Sequence, residues 1–166
     1  TLAIPRGRLA ALDSDTRVID EATSVVSGDR RFPAGEPAAR VTLPDDWAVS
    51  RPDFAGSVWY RTRFRLDESN GPEDLLALYI ERACSNVQVH LNGALIFIGG
   101  RMVEPVTRNC ARPQLVTLPP ALLRSGENIV DLRVVGHPLE RVAARQAAAG
   151  LSRIEWGRQS SLLAAH

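Results

Sequence analysis

The chain contains no lysine: all twenty of its basic residues are arginine, and nineteen acids leave a net charge of +1. A chain so balanced has no global field with which to recruit nucleic acid or an anionic membrane. The exclusive use of arginine reads as the mark of a codon-biased genome rather than of bidentate anion binding at many positions. Histidine is scarce as well. His90, His137 and His166 stand far apart, with no His-x-His, His-Glu-x-x-His or Cys-x-x-Cys spacing to gather a transition metal. His90 lies on the outward parity of a strand and is expected to be solvated. No Gly-x-Ser-x-Gly elbow announces a nucleophilic serine, and Gly99-Gly100 is a hairpin end rather than a phosphate loop. No apolar run reaches the roughly 18 residues of a membrane span. Thr1 to Arg6 lack the basic-then-apolar order of a signal peptide. A mature ectodomain would lack both features too, so neither absence fixes the compartment. Repeats and low-complexity tracts are also missing.

What remains is an ordinary globular composition, 45% hydrophobic and 23% charged over 166 residues. That length suits one domain, able to bury about 70% of its unfolded surface without a metal or a partner. Short alternating segments dominate. Ser57 to Leu66 sorts by parity: Val58, Tyr60, Thr62, Phe64 and Leu66 on one face, Trp59, Arg61, Arg63 and Arg65 on the other. The first face is expected to be the core. Leu75 to Ile80 is nearly continuous in apolar residues, as in a central strand. Val87, Val89 and Leu91 alternate into Asn92-Gly93, the residue pair best suited to a type I′ hairpin turn, which returns through Ala94 to Ile98. Leu115 to Leu118, Val130 to Val134 and Leu151 to Trp156 add strands, with a single helical turn over Pro119 to Leu123. Val41 to Leu43 is a short strand, and one edge strand is expected within 15–26. Residues 27–40 and 51–56 read as loops, and 139–149 as a helix or ordered loop. Seven to nine strands at intervals of about 8–12 residues predict an all-β sandwich.

Three segments carry a more specific signal: Trp59-Tyr60-Arg61-Thr62-Arg63-Phe64, then Val87-Gln88-Val89-His90-Leu91-Asn92-Gly93, then Gly126-Glu127-Asn128-Ile129-Val130-Asp131-Leu132-Arg133-Val134. Together they resemble the galactose-binding-like jelly roll that serves as the sugar-binding domain of family 2 glycoside hydrolases and as a periplasmic input domain of bacterial sensor histidine kinases. The resemblance is strongest over 41–135. It implies a jelly-roll β-sandwich spanning 1–166 as a single domain, non-catalytic and without a cofactor. Arg112-Pro113-Gln114 stands where the hydrolases carry an aromatic-Pro-Phe, and the Leu118-Pro119-Pro120-Ala121-Leu122-Leu123 ending is closer to the sensor version. A periplasmic sensory domain of a membrane-bound, two-component signalling protein is therefore expected. The alternative is a carbohydrate-binding accessory domain of a secreted hydrolase. The expected partners are the rest of its own membrane-bound chain and either a carbohydrate-like or carboxylated ligand or a periplasmic protein. A homodimer stays open. The same family reading favours an oxidising compartment and a Cys84–Cys110 disulfide, which would contribute roughly 3–4 kcal/mol through its loop of about 27 residues; two unrelated thiols are the other possibility.

Two surfaces compete as the functional site. Trp47, with Asp45, Asp46 and Arg51, falls in loops at one end of the sandwich. There an exposed ring would stack on a sugar while carboxylates and guanidinium groups take its hydroxyls. A tryptophan capping the core is the plainer explanation. The row Trp59, Arg61, Arg63 and Arg65 is a candidate partner face, or a solvated face paired with acids such as Asp131. Asp67, Glu68, Asn70, Glu73 and Asp74 offer oxygen donors to calcium, but a polar turn explains them equally and no metal is assigned. Glycoside hydrolysis needs two facing carboxylates. In the resembling hydrolases these lie in a separate barrel, so no catalytic residue is carried over.

Overall fold

A computed structural model describes residues 16–35, 37–51, 54, 56–67, 75–81, 83–84, 86–99, 113–136 and 150–166. Within them, strands β1 (Thr16–Ile19), β13 (Ile154–Arg158), β6 (Leu76–Ile80) and β10 (Gln114–Leu118) form a four-stranded sheet in that order. The larger sheet runs β3 (Ala39–Thr42), β2 (Glu21–Val26), β5 (Gly56–Leu66), β11 (Gly126–Gly136), β8 (Asn86–Leu91) and β9 (Ala94–Gly99). The two-residue strands β4 (Asp45–Asp46), β12 (Gly150–Leu151) and β7 (Ala83–Cys84) make a small third sheet. Every pairing is antiparallel. This is an all-β sandwich compatible with the expected jelly roll. The strands outnumber the expected seven to nine because three are two-residue bridges and the 15–26 segment splits in two. β12 approaches β4 so closely that a Cβ at Gly150 would run into the Asp45 carbonyl oxygen, a position only glycine can fill.

One core joins the two large sheets, with Tyr60, Val89 and Leu132 from one packing with Leu78, Val116 and Ile154 from the other. Alternation places these side chains. Val58, Tyr60, Thr62 and Phe64 are buried as their parity requires, and Leu66 is half-buried at the strand end. β5 lies along β11 from Gly56↔Gly136 to Leu66↔Gly126, so these two long strands are the spine of the larger sheet. β6 is central in its own sheet, between β13 and β10. The segment 15–26 is not one edge strand: β1 and β2 belong to different sheets and turn at Asp20, whose carbonyl accepts the Leu43 N–H at 2.6 Å. A final helix, Gln159–Ala165, was not legible in the sequence; it buries Leu162. After it, the His166 ring stacks on Tyr79 at 3.8 Å and meets Glu155 at 2.5 Å. Residues 139–149, Cys110, His137, and Glu68, Asn70, Glu73 and Asp74 lie outside the described residues, and with them the Cys84–Cys110 pairing and the calcium cluster.

The two asparagines of the recognised motifs hold the loops of one end together. Asn92 and Gly93 take positive φ, 50° and 91°, as a type I′ turn demands. Asn92 Nδ2 then donates to Leu122 O at 2.8 Å and to Asn128 Oδ1 at 2.9 Å, while its Oδ1 accepts the Ile129 N–H at 2.8 Å. Asn128, fully buried, also accepts the Arg124 N–H and donates to the Arg124 and Gly126 carbonyls. The β8–β9 turn, the 3-10 turn Pro120–Leu122 and the start of β11 thus share one amide network. Removing either amide leaves part-buried backbone groups without their partner, at a cost of about 1–3 kcal/mol per fully desolvated group and less where water reaches it. Asn128→Ala is expected to destabilise the fold by about 2–4 kcal/mol in urea unfolding. Combined with Asn92→Ala the loss should be clearly less than additive, because the two share a bond; full additivity would contradict the network.

Candidate functional site

The loop end around Trp47 is sealed. Asp45 and Asp46 form β4 and lead into a helical turn, Trp47–Ser50, which directs the Trp47 ring into the core at 1% exposure. Its indole N–H donates to the Tyr60 hydroxyl at 2.8 Å, and that hydroxyl donates to Asp45 Oδ2 at 2.6 Å. The other Asp45 oxygen accepts from Ser50 Oγ at 2.7 Å. Phe54 meets the Trp47 ring edge-on at 5.2 Å. Arg51 reaches Ser24 Oγ at 3.4 Å and sits 5.8 Å from the Phe54 ring centre. The structure does bring Asp45, Trp47 and Arg51 together, but the expected exposed ring is absent. A ring so buried cannot stack on a ligand, and the buried Asp45 carboxylate is already engaged on both oxygens. Asp46 alone of the four is exposed. Burial, and then the hydrogen bond to Asp45, hold the Tyr60 phenol far above its ordinary pKa.

The outer row is also only partly what its parity suggested. Trp59 points away from the core yet has 0% exposure. The segment 27–35 crosses over it: Phe32 packs edge-on at 6.5 Å, and the Asp29 carbonyl accepts the Trp59 indole N–H at 3.1 Å. His90, expected to be solvated, is buried beside Trp59 at 5.2 Å, and desolvation depresses its pKa, which keeps the imidazole neutral. Arg61 stands directly opposite Asp131 in the β5–β11 register and binds it through two N–H···O contacts, 2.8 and 3.0 Å. Its guanidinium also covers the Phe32 ring at 4.1 Å. The expected pairing of the row with Asp131 therefore holds for Arg61. Arg63 meets Glu127 at 3.4 Å, and Arg65 has no acid partner among the described residues.

Beyond Arg61 the face opens into a groove of ≈ 500 Å³ between β5, the β1–β2 corner and β13. Arg63 and Arg65 form one wall. Arg17 and Arg40, which sequence reasoning did not single out, stand with Asp20 and Glu21 on the other. Nothing local in the sequence marks Arg17 for this role, because it depends on which sheet β1 joins.

Solved structures that share the fold include family 2 glycoside hydrolases and β-glucuronidases. The β-galacturonidase of Eisenbergiella tayi superposes with a TM-score of 0.61 at 13% identity, covering 86% of this chain and 24% of that one. The β-glucuronidase of Ruminococcus gnavus gives 0.62 at 14%, covering 86% and 29%. The β-glucuronidase of Bifidobacterium dentium gives 0.60 at 18%, covering 85% and 29%. The chain thus spans less than a third of each of these enzymes, and the likeness is one of fold, consistent with the galactose-binding-like domain of family 2 hydrolases. No family model and no curated protein matches the sequence.

Tyr60→Phe should cost about 1–3 kcal/mol, because Trp47 and Asp45 both lose their buried partner. The raised folded-state pKa means that the Tyr60 contribution is complete below the unfolded phenol's value of about 10 and is lost as pH rises beyond it. Unfolding followed from pH 8 to 11 is expected to show that alkaline loss in the parent and not in the variant. Identical profiles would contradict the network.

Proposed function

We propose that this chain is a non-catalytic binding domain of a larger protein, acting as an extracytoplasmic sensory input domain. The observation that carries the reading is the superposition itself: nearly all of the chain matches a β-domain that is a minor part of each solved neighbour. The Leu118–Leu123 ending and the departure from the hydrolase pattern at Arg112-Pro113-Gln114 support the sensory role, with the rest of a membrane-bound signalling chain as its partner. A bound state would have to differ from the free one in its packing against that chain, since a ligand shifts only an equilibrium it binds unequally. The solved neighbours favour a second reading, a carbohydrate-binding accessory domain of a secreted hydrolase. The two diverge in the full reading frame, with a membrane span and kinase in the first case and a catalytic barrel in the second.

In either role the binding surface we favour is the flank of β5 beyond Arg61, where it faces the β1–β2 corner and β13. Trp47 and Trp59 have no face to offer, whereas Arg63 and Arg65 are exposed. Purified protein is expected to release no chromophore from p-nitrophenyl glucuronide, galacturonide or galactoside above a buffer blank. Turnover that a single carboxylate substitution abolishes would overturn the non-catalytic reading.

A further inference from the structure

The groove exists because two strands part. Thr23 of β2 pairs with Arg61 of β5, but Ala22 and Glu21 pair with β3 alone. β2 then turns at Asp20 and continues in the other sheet as β1. Thr62 to Leu66 therefore run on without a partner on that side among the described residues. The floor of the gap is apolar: Ala22 and Phe64 are buried, and Trp156, half-buried, lies 4.4 Å from the Phe64 ring.

Five guanidinium groups line the groove against two carboxylates. Arg61 is committed to Asp131 in a geometry that a ligand would not displace. The Arg63–Glu127 and Arg40–Glu21 pairs, at 3.4 and 3.9 Å, join side chains that are about half exposed or more. Such pairs contribute little and exchange readily for a better acceptor. Arg17 and Arg65 have no acid partner among the described residues. Guanidinium forks suit carboxylates. Asp20 and Thr23 line the same space. A carboxylate there repels a bare polyanion but accepts hydroxyl donors. A neutral sugar, conversely, would leave the guanidinium groups without a matching charge.

Building on the reading of the chain as a binding domain, we propose that this groove binds a small carboxylated polyol of the sugar-acid class. Arg17, Arg63 and Arg65 hold the carboxylate, Asp20 and Thr23 bond the hydroxyls, and the open part of Trp156 covers the apolar face of the ring. The volume falls within the range of small-molecule sites.

Amide chemical shifts recorded during titration with D-glucuronate and D-galacturonate test the site, with D-glucose and inorganic phosphate as comparators. At least one sugar acid should shift residues 17–23 and 61–65 saturably, more tightly than either comparator. Arg17→Ala with Arg65→Ala, at unchanged unfolding midpoint, should weaken that binding by roughly tenfold or more. The double lysine variant, which keeps charge and loses the fork, should fall between. Equal binding of glucose or phosphate, shifts confined to other residues, or unaltered affinity in the alanine variant would overturn the site. So would no response to either sugar acid. If the protein is still free of hydrolase activity, those results leave the binding-domain reading standing; glycoside turnover overturns that reading instead.

Discussion

Strand β5 must be buried on both faces for its first half and on only one for its second, and the rest of the structure follows from that constraint. On the inner face the Tyr60 hydroxyl accepts the Trp47 indole N–H and donates its own O–H to Asp45. That ties the helical turn Trp47–Ser50 and the small third sheet to the core. On the outer face Trp59 draws the 27–35 segment across the sheet through the Asp29 carbonyl and the Phe32 ring. Arg61 stands at the boundary, half-buried, with Asp131 and Phe32 neutralising and covering it. Past it nothing described crosses the sheet, and Arg63 and Arg65 are exposed.

The inner face was legible because a strand has period two and a one-residue slip would turn every apolar side chain outward. The Asn92-Gly93 turn was legible because few residues accept positive φ. The paired strands of the recognised motifs were found for the same reasons, although the hydrogen bonds joining Asn92 to Asn128 were not. Trp59 and His90 were misread by the same reasoning that placed Tyr60. Parity says which face a side chain takes, not whether a distant segment covers that face. The cover here is a Gly-, Pro- and Arg-rich stretch with no periodicity of its own. Trp47 illustrates the converse: the plainer expectation, a large aromatic capping the core, is what the structure holds. The turn of β2 into β1 at Asp20 left no mark in the sequence, so Arg17 could not be associated with β5 before the sheets were known.

That missing association matters for function. The aromatic residues best suited to recognition by their type are structural, each with its N–H spent on an acceptor within the protein. Recognition passes to arginines from strands distant in sequence, at the place where the larger sheet loses a strand to the smaller. A jelly roll offers many loops for binding; here one loop end is closed by the Trp47 network and another by the Asn92–Asn128 amides. An open flank between sheets then becomes the better site, since the sandwich itself holds its walls and only the exposed Arg63–Glu127 pair has to open to admit a ligand.

Hydrogen exchange of the three indole N–H groups, followed by NMR, tests this arrangement most directly. Trp47 and Trp59 are buried and donate to Tyr60 and Asp29, whereas Trp156 is half-buried with no acceptor among the described residues. Two indole protons are expected to exchange slowly, on the timescale of core opening, and the third rapidly. Rapid exchange at Trp47 or Trp59 would mean that the ring is open to solvent, and would return the binding surface to the loop end or to the first half of β5.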